Sequence, residues 1–149
     1  MIAVDTNILV HARREELTLH AEALDALKKL AEGDLPWGLP LFCIGEFVRV
    51  ISHPRLFEPI TPTEAALRFV DTLLESPTAR LLMPGMGFLE ILSRLLSESG
   101  VQGNTVFDAQ IAALCLESGV GEILTEDRDF ARFAQLRVVS LRERAARSR

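Results

Sequence analysis

Four carboxylates in this 149-residue chain stand in apolar surroundings, where a charge is expensive. Asp5 interrupts MIAVDTNILV, Glu46 lies in PLFCIGEFVRVI, Asp108 in VFDAQIAALCL and Asp127 in ILTEDRDF. Taking a carboxylate out of water costs several kcal/mol unless a cation, a hydrogen-bond donor or a metal compensates it. Three of the four have a local structural explanation. Glu46 can pair with Arg49 one helical turn on. Thr105 precedes Asp108 by three residues, the spacing of a capping box. Asp127 can cap a short helix over DRDF, with Glu126 and Asp129 as competing acids. Asp5 has no such local partner.

One explanation covers all four. Carboxylates gathered at one edge of a sheet repel each other, and a hard divalent cation relieves that repulsion. Mg²⁺ and Mn²⁺ take oxygen ligands and keep some of their waters. Zinc is disfavoured, because His11, His20 and His53 show no zinc-like spacing. An all-oxygen site where a metal activates water and stabilises a leaving oxygen suits phosphodiester hydrolysis.

The elements that would position these acids follow from apolar periodicity. IAVD reads as a buried parallel strand with Asp5 at its end, and Thr6 and Asn7 turn the chain into a helix. LTLHAEALDALKKLAEG carries Leu17, Ala21, Leu24, Leu27 and Leu30 on one helical stripe and stops at Gly33. PWGLP is a short extended piece, and a helix over Leu41–Ile51 ends before His53-Pro54. TPTEAALRFVDTLLES starts a helix with Thr61 or Thr63 as cap and Pro62 near its first position. RLLMP reads as a strand and MGFLEILSRLLSES as a helix closed by Gly100. NTVFDAQIAALCLESG is a helix stopped by Gly119, EILT a strand, DRDFARF a short helix and RVVSL the last strand. Strands alternating with helices along the whole chain predict an α/β domain around a mostly parallel sheet of about four to five strands. Ligands of such sheets sit at the carboxyl ends of the strands, near a switch in strand order.

Bulk properties exclude several classes. The length fits one domain with a real core, and 48% hydrophobic with 25% charged residues argues against disorder. No run reaches the roughly 20 apolar residues of a membrane helix. The start lacks the basic region and cleavage site of a signal peptide, so a cytoplasmic location and no membrane partner are expected. Cys43 and Cys115 sit in apolar stretches without CxxC spacing and read as reduced core thiols. The net charge of −5 argues against a simple electrostatic nucleic-acid binder, although Arg128 to Arg149 form a basic C-terminal stretch. A phospho-accepting receiver domain would need a late lysine, whereas lysine occurs only at Lys28 and Lys29. A haloacid-dehalogenase-type phosphatase would need a second Asp where Asn7 stands.

MIAVDTNIL, a Glu in an apolar helix about forty residues on, VFDAQIAALCLESGV and ILTEDRDFARF together resemble a PIN-domain ribonuclease. More narrowly, with VISHPRLF and the Pro/Thr-rich turn after it, the chain is similar to the VapC toxins of bacterial toxin–antitoxin pairs. The resemblance covers nearly the whole chain. It implies a three-layer α/β/α PIN-like domain over residues 1–142, followed by a basic tail at 143–149. It also implies a metal-dependent endoribonuclease that hydrolyses RNA with a metal-activated water, using one or two Mg²⁺ or Mn²⁺ ions.

Carried across residue by residue, the family's acids fall on Asp5, Glu46, Asp108 and Asp127, with Asp129 a further possible metal ligand. Thr6, Asn7 and Thr125 match the polar residues that orient the acids or the water. Arg13, Arg14, Arg55, Arg128 and Arg132 are candidate phosphate contacts. Phe107 stands where the subgroup often has His, and VVSLRERAARSR replaces its short Asn-Pro-Leu ending. The implied partners are an RNA substrate, a VapB-like antitoxin, a second copy of the chain in a homodimer, and operator DNA only through the antitoxin. The alternative is a PIN-fold binding module that acts mainly in such a complex on operator DNA, with weak or no catalysis.

Overall fold

The computed structural model describes residues 1–147. Ile2–Val4 forms strand β1, buried along its whole length. Asp5 ends it because its side chain accepts the Thr6 N–H and so caps helix α1, Thr6–Arg13. The remaining strands are β2 (Trp37–Pro40), β3 (Ala79–Leu82), β4 (Glu122–Leu124) and β5 (Arg137–Val139). All pair in parallel, in the order β3-β2-β1-β4-β5. The helices are α2 (His20–Glu32), α3 (Leu41–Ile51), α4 (Thr63–Leu74), α5 (Phe88–Ser99), α6 (Thr105–Glu117) and α7 (Leu141–Arg147), with a 3-10 helix over Arg128–Arg132.

Successive residues of a strand point to opposite faces, and the sheet accordingly divides the molecule into two cores. Ile2 and Val4 pack into one core with Ile8, Leu27, Phe47 and Val70. Ala3 and Ile123 pack into the other with Ile111, Cys115 and Phe130. Helices thus cover both faces, which is the three-layer α/β/α arrangement that the family resemblance implies. Among the described residues no helix is long and apolar enough to cross a membrane.

Several helix ends differ from the sequence reading. Helix α2 starts at His20, three residues later than the stripe from Leu17 suggests. Pro62, not a threonine, occupies the N-cap of α4, and Thr61 is buried, accepting from Arg14 Nη1 at 3.1 Å. Asn104 holds the N-cap of α6 without a side-chain bond, and the Thr105 hydroxyl donates backwards to the Gln102 carbonyl at 2.6 Å. The capping box is therefore absent, and Asp108 is not occupied by capping.

The stretch from residue 143, expected as a basic tail, is helical as far as Arg147, since helix α7 runs through it. Glu126 Oε1 accepts the Leu141 N–H at 2.7 Å, which anchors its start. Glu143 pairs with Arg137 at 2.6 Å and Arg147 at 2.9 Å, and Arg147 reaches Glu122 at 3.0 Å. Apolar periodicity carries no signal for this helix, because charge pairs rather than a wide apolar stripe hold it. Arg149, the last of the basic series, lies outside the described residues.

Helix α5 has glycine at its N-cap and no cap of its own. Glu117 at the end of α6 supplies one instead, accepting the N–H groups of Gly85 and Gly87 at 2.8 Å each. A Cβ at Gly85 would fall 2.8 Å from Glu117 Oε1, so the carboxylate and this turn are fitted to each other. Glu117→Ala is expected to cost about 1 kcal/mol. A thermal scan should show Tm lower by about 2–4 °C, with cleavage of RNA unchanged.

Candidate active site

The chain lays down β1, β2 and β3 on one side, then returns to place β4 on the other side of β1. A crevice opens at the carboxyl ends of strands where the order switches in this way. Asp5 follows β1 and Thr125 follows β4, and the two meet across that switch. The Asp5 N–H donates to the Leu124 carbonyl at 3.1 Å, continuing the strand pairing into the site.

Asp5 is buried, at 4% exposure, and three donors hold its carboxylate. Oδ1 accepts the Thr6 N–H at 2.7 Å, and Oδ2 accepts Asn7 Nδ2 at 2.8 Å and the Thr125 hydroxyl at 2.6 Å. Thr125 Oγ1 also accepts from Asn7 Nδ2 at 2.8 Å and from the Asp127 N–H at 3.0 Å. With both lone pairs engaged, its proton is directed at Asp5. Asn7 Oδ1 accepts the Glu126 N–H at 3.2 Å, so one amide joins the ends of β1 and β4. Behind Asp5 lies Cys43, its Sγ 3.8 Å from Oδ1. Burial first, and then the Asp5 charge, push that thiol's pKa well up, so it stays protonated.

The other acids arrive from three elements. Glu46, on α3, accepts the Thr6 hydroxyl at 3.0 Å. It makes no ion pair with Arg49 among the described residues, so the local explanation offered by their spacing is not realised. Asp127 caps the 3-10 helix, Oδ1 accepting the Asp129 N–H at 2.8 Å, so its capping role coexists with its place in the cleft. Asp108 comes from the first turn of α6 and has no hydrogen-bond partner for its carboxylate among the described residues.

The charges of these groups act on one another. Burial raises the Asp5 pKa from 3.8 to about 6, with the charges of Glu46 and Asp127 adding to it against the pull of its hydrogen bonds. Partial burial raises Asp108 to about 7, followed by repulsion from Asp127, Asp5, Glu46 and Asp129. Asp5, Glu46, Asp108 and Asp127 line a cleft of about 230 Å³ together with Asn7 and His11. The donor set is all oxygen and carries excess negative charge, which fits a hard divalent cation. Among the described residues no three His, Cys, Asp or Glu side chains form a ready metal cage.

The remaining sequence candidates scatter. Thr6 and Asn7 line the cleft and Thr125 lies beneath it. Asp129 lines the neighbouring groove and sits 3.6 Å from Arg132. Arg14 is 8% exposed and committed to Glu16, the Pro59 carbonyl, Thr61 and the face of Phe57. It is a structural cation and is removed from the phosphate contacts. Arg55, Arg128 and Arg132 are exposed and Arg13 half-buried, and none of them lines the cleft. Val10, Val50 and His11 also line the cleft, and His11 is the polar one outside the sequence candidates. Its place four residues after Asn7 on α1 was the available signal, and its Nδ1 is buried without a partner among the described residues.

Thr125 offers a specific test. Thr125→Val keeps the shape, removes a donor from Asp5, takes one of the two acceptors from the Asn7 amide nitrogen and strands the Asp127 N–H. Initial rates with Mg²⁺ should fall about 10- to 100-fold, the usual effect of removing a group that orients a ligand.

A family model described as PIN domain matches residues 2–136. Ribonuclease VapC43 of Mycobacterium tuberculosis is 39% identical to the chain over 137 residues, which is 92% of each protein. Ribonuclease VapC25 of the same species is 30% identical over 92% of this chain and 96% of its own. Among solved structures, VapBC2 from Rickettsia felis bound to a promoter DNA fragment superposes with a TM-score of 0.67 at 18% identity, covering 94% of this chain and 98% of that one. VapC20 of Mycobacterium tuberculosis, a sarcin-ricin loop cleaving toxin, gives 0.65 at 17% identity, covering 88% and 93%.

Proposed function

The chain belongs to the PIN-domain family and is a VapC-type ribonuclease, and from that premise we propose that the cleft at the β1–β4 switch is where it hydrolyses RNA, as the toxin of a toxin–antitoxin pair. The observation that carries this reading is the convergence of Asp5, Glu46, Asp108 and Asp127 on one cleft, with two of them pushed to unusual pKa values by burial and mutual repulsion. VapC nucleases are metal-dependent, and the proposed ion is Mg²⁺ or Mn²⁺, in one or two copies. When bound, it supplies Lewis-acid activation of water and neutralises charge at the scissile phosphate.

The protein's own contribution is position. Thr6, Asn7 and Thr125 fix both oxygens of Asp5, so its carboxylate presents one orientation to the cleft. Thr6 fixes Glu46 in the same way, and the Thr125 hydroxyl fixes the backbone of Asp127. Asp108, free of hydrogen bonds, is the adjustable member, able to turn toward an incoming ion or water. Products with 5′-phosphate and 3′-hydroxyl ends follow from water attacking phosphorus with the 3′ oxygen leaving. The proposed partners are a VapB-like antitoxin and a second copy of the chain, with operator DNA reached only through the antitoxin.

The test uses antitoxin-free protein and total RNA. Cleavage with Mg²⁺ or Mn²⁺, its loss with chelator, and 5′-phosphate ends are expected. Undiminished cleavage in chelator, or 2′,3′-cyclic phosphate ends, would remove the metal-dependent reading.

A further inference from the structure

A groove of about 800 Å³ adjoins the acid cleft and shares Glu46, Asp108 and Asp127 with it. Its own walls come from α3 and α6. Phe42 and Arg49 lie on the α3 side, and Asn104, Phe107 and Gln110 on the α6 side. We infer that this groove seats a single-stranded segment of the substrate RNA, with Phe107 stacking on an unpaired base beside the scissile phosphate and Arg49 meeting a neighbouring phosphate. This rests on the ribonuclease reading of the adjoining cleft.

Phe107 is 60% exposed although Ala109, two residues on, is fully buried, so the helix presents it to the groove rather than to a core. The ring of Phe42, by contrast, is occupied by Phe88, at 5.6 Å between centroids. Phe107 therefore offers a free aromatic face immediately before Asp108. A single exposed apolar side chain means little by itself. Here it coincides with Arg49, the one cation among the groove's lining residues, which makes no ion pair among the described residues although Glu46, Asp108, Asp127 and Asp129 surround the groove. An arginine left unpaired among acids is available to a phosphate. The amides of Asn104 and Gln110 add donors and acceptors suited to base edges. An aromatic face, a cation for the backbone and amides for edges are the elements of single-strand recognition, and a duplex, with its bases stacked inside, cannot use the first of them.

The experiment compares Phe107→Ala, Phe107→Trp and Arg49→Ala with the parent chain. The probes are a mixed-sequence single-stranded RNA 15-mer, the same strand with abasic nucleotides, and its duplex, with total RNA as cleavage substrate. Phe107→Ala should raise KM for single strands about tenfold with kcat within about threefold, while Phe107→Trp retains the parent KM. The native Trp37 is fully buried, so emission in Phe107→Trp that the single strand quenches on mixing reports stacking directly. The abasic strand and the duplex should quench little. Arg49→Ala should raise KM and flatten its salt dependence by about one phosphate contact. An unchanged KM in Phe107→Ala, equal quenching by the abasic strand, or a loss only of dimer or antitoxin binding would overturn the assignment while leaving the ribonuclease intact. A parent chain that cuts no RNA with Mg²⁺ or Mn²⁺ would remove the ribonuclease reading, and this assignment with it.

Discussion

Asp108→Asn is expected to lower kcat for RNA cleavage on the order of 10²- to 10³-fold while making the metal-free protein more stable. The two effects have one cause. Among the described residues Asp108 makes no hydrogen bond that an amide would forfeit, and its ionised form is opposed by partial burial and by the charges of Asp127, Asp5, Glu46 and Asp129. Removing its charge relieves that repulsion, for about 1 kcal/mol after allowing for solvent screening, or a Tm higher by about 2–4 °C. The same change weakens the hold on a divalent ion whose stabilisation of the reaction is several kcal/mol. A loss on the order of 10²- to 10³-fold in kcat follows. Ordinary damage to a fold lowers activity and stability together, so opposite signs identify a site residue. A thermal scan in chelator beside a rate in Mg²⁺ reads both. Asp5→Asn should be as inactive but not stabilised, because an amide cannot accept from Thr6, Asn7 and Thr125 at once.

The second large effect is a stability that depends on pH and metal together. Asp5 and Asp108 hold their protons to about 6 and about 7 in the folded chain, against 3.8 for an unperturbed Asp. The folded state therefore binds more protons than the unfolded state between about pH 4 and about pH 7. Stability from these groups is complete below that window and is lost as pH rises through it. For Asp5 alone, the move from 3.8 to about 6 corresponds to on the order of 3 kcal/mol. A bound divalent ion removes that loss, since it holds the carboxylates ionised as they are in the unfolded chain. At about a hundred times its Kd, the ion should raise Tm at pH 8 by roughly 5–10 °C, and by less at pH 5. A Tm at pH 8 indifferent to both Mg²⁺ and Mn²⁺ would contradict the account.

What could be read from the sequence follows how each feature is encoded. The strand after the first methionine and the helix over Thr105–Glu117 are written in continuous apolar runs and the helix over Leu41–Ile51 in apolar periodicity, and the structure repeats them around a parallel sheet. The acids were legible because each broke that periodicity. Their misplacement was visible one residue at a time, and only the strand order brings Asp5 and Thr125 together across 120 residues. Features set by charge pairing or by distant partners left little trace. Helix α7 depends on Glu122, Glu126 and Arg137 from other elements, and the cap of α5 comes from Glu117 on α6. Arg14 reads as a surface cation until Thr61, Pro59 and Phe57 are seen to enclose it. Phe107 lies in an apolar stretch, and only its 60% exposure in the fold shows that it faces outward.

The central claim is that Asp5, Glu46, Asp108 and Asp127 together hold a divalent ion. Anomalous diffraction from the protein crystallised with Mn²⁺ tests it directly. The account predicts an anomalous peak in the cleft, within direct or one-water reach of Asp5 and Asp108, that vanishes in Asp108→Asn. Mn²⁺-dependent cleavage by a protein whose only anomalous peaks lie elsewhere would contradict it.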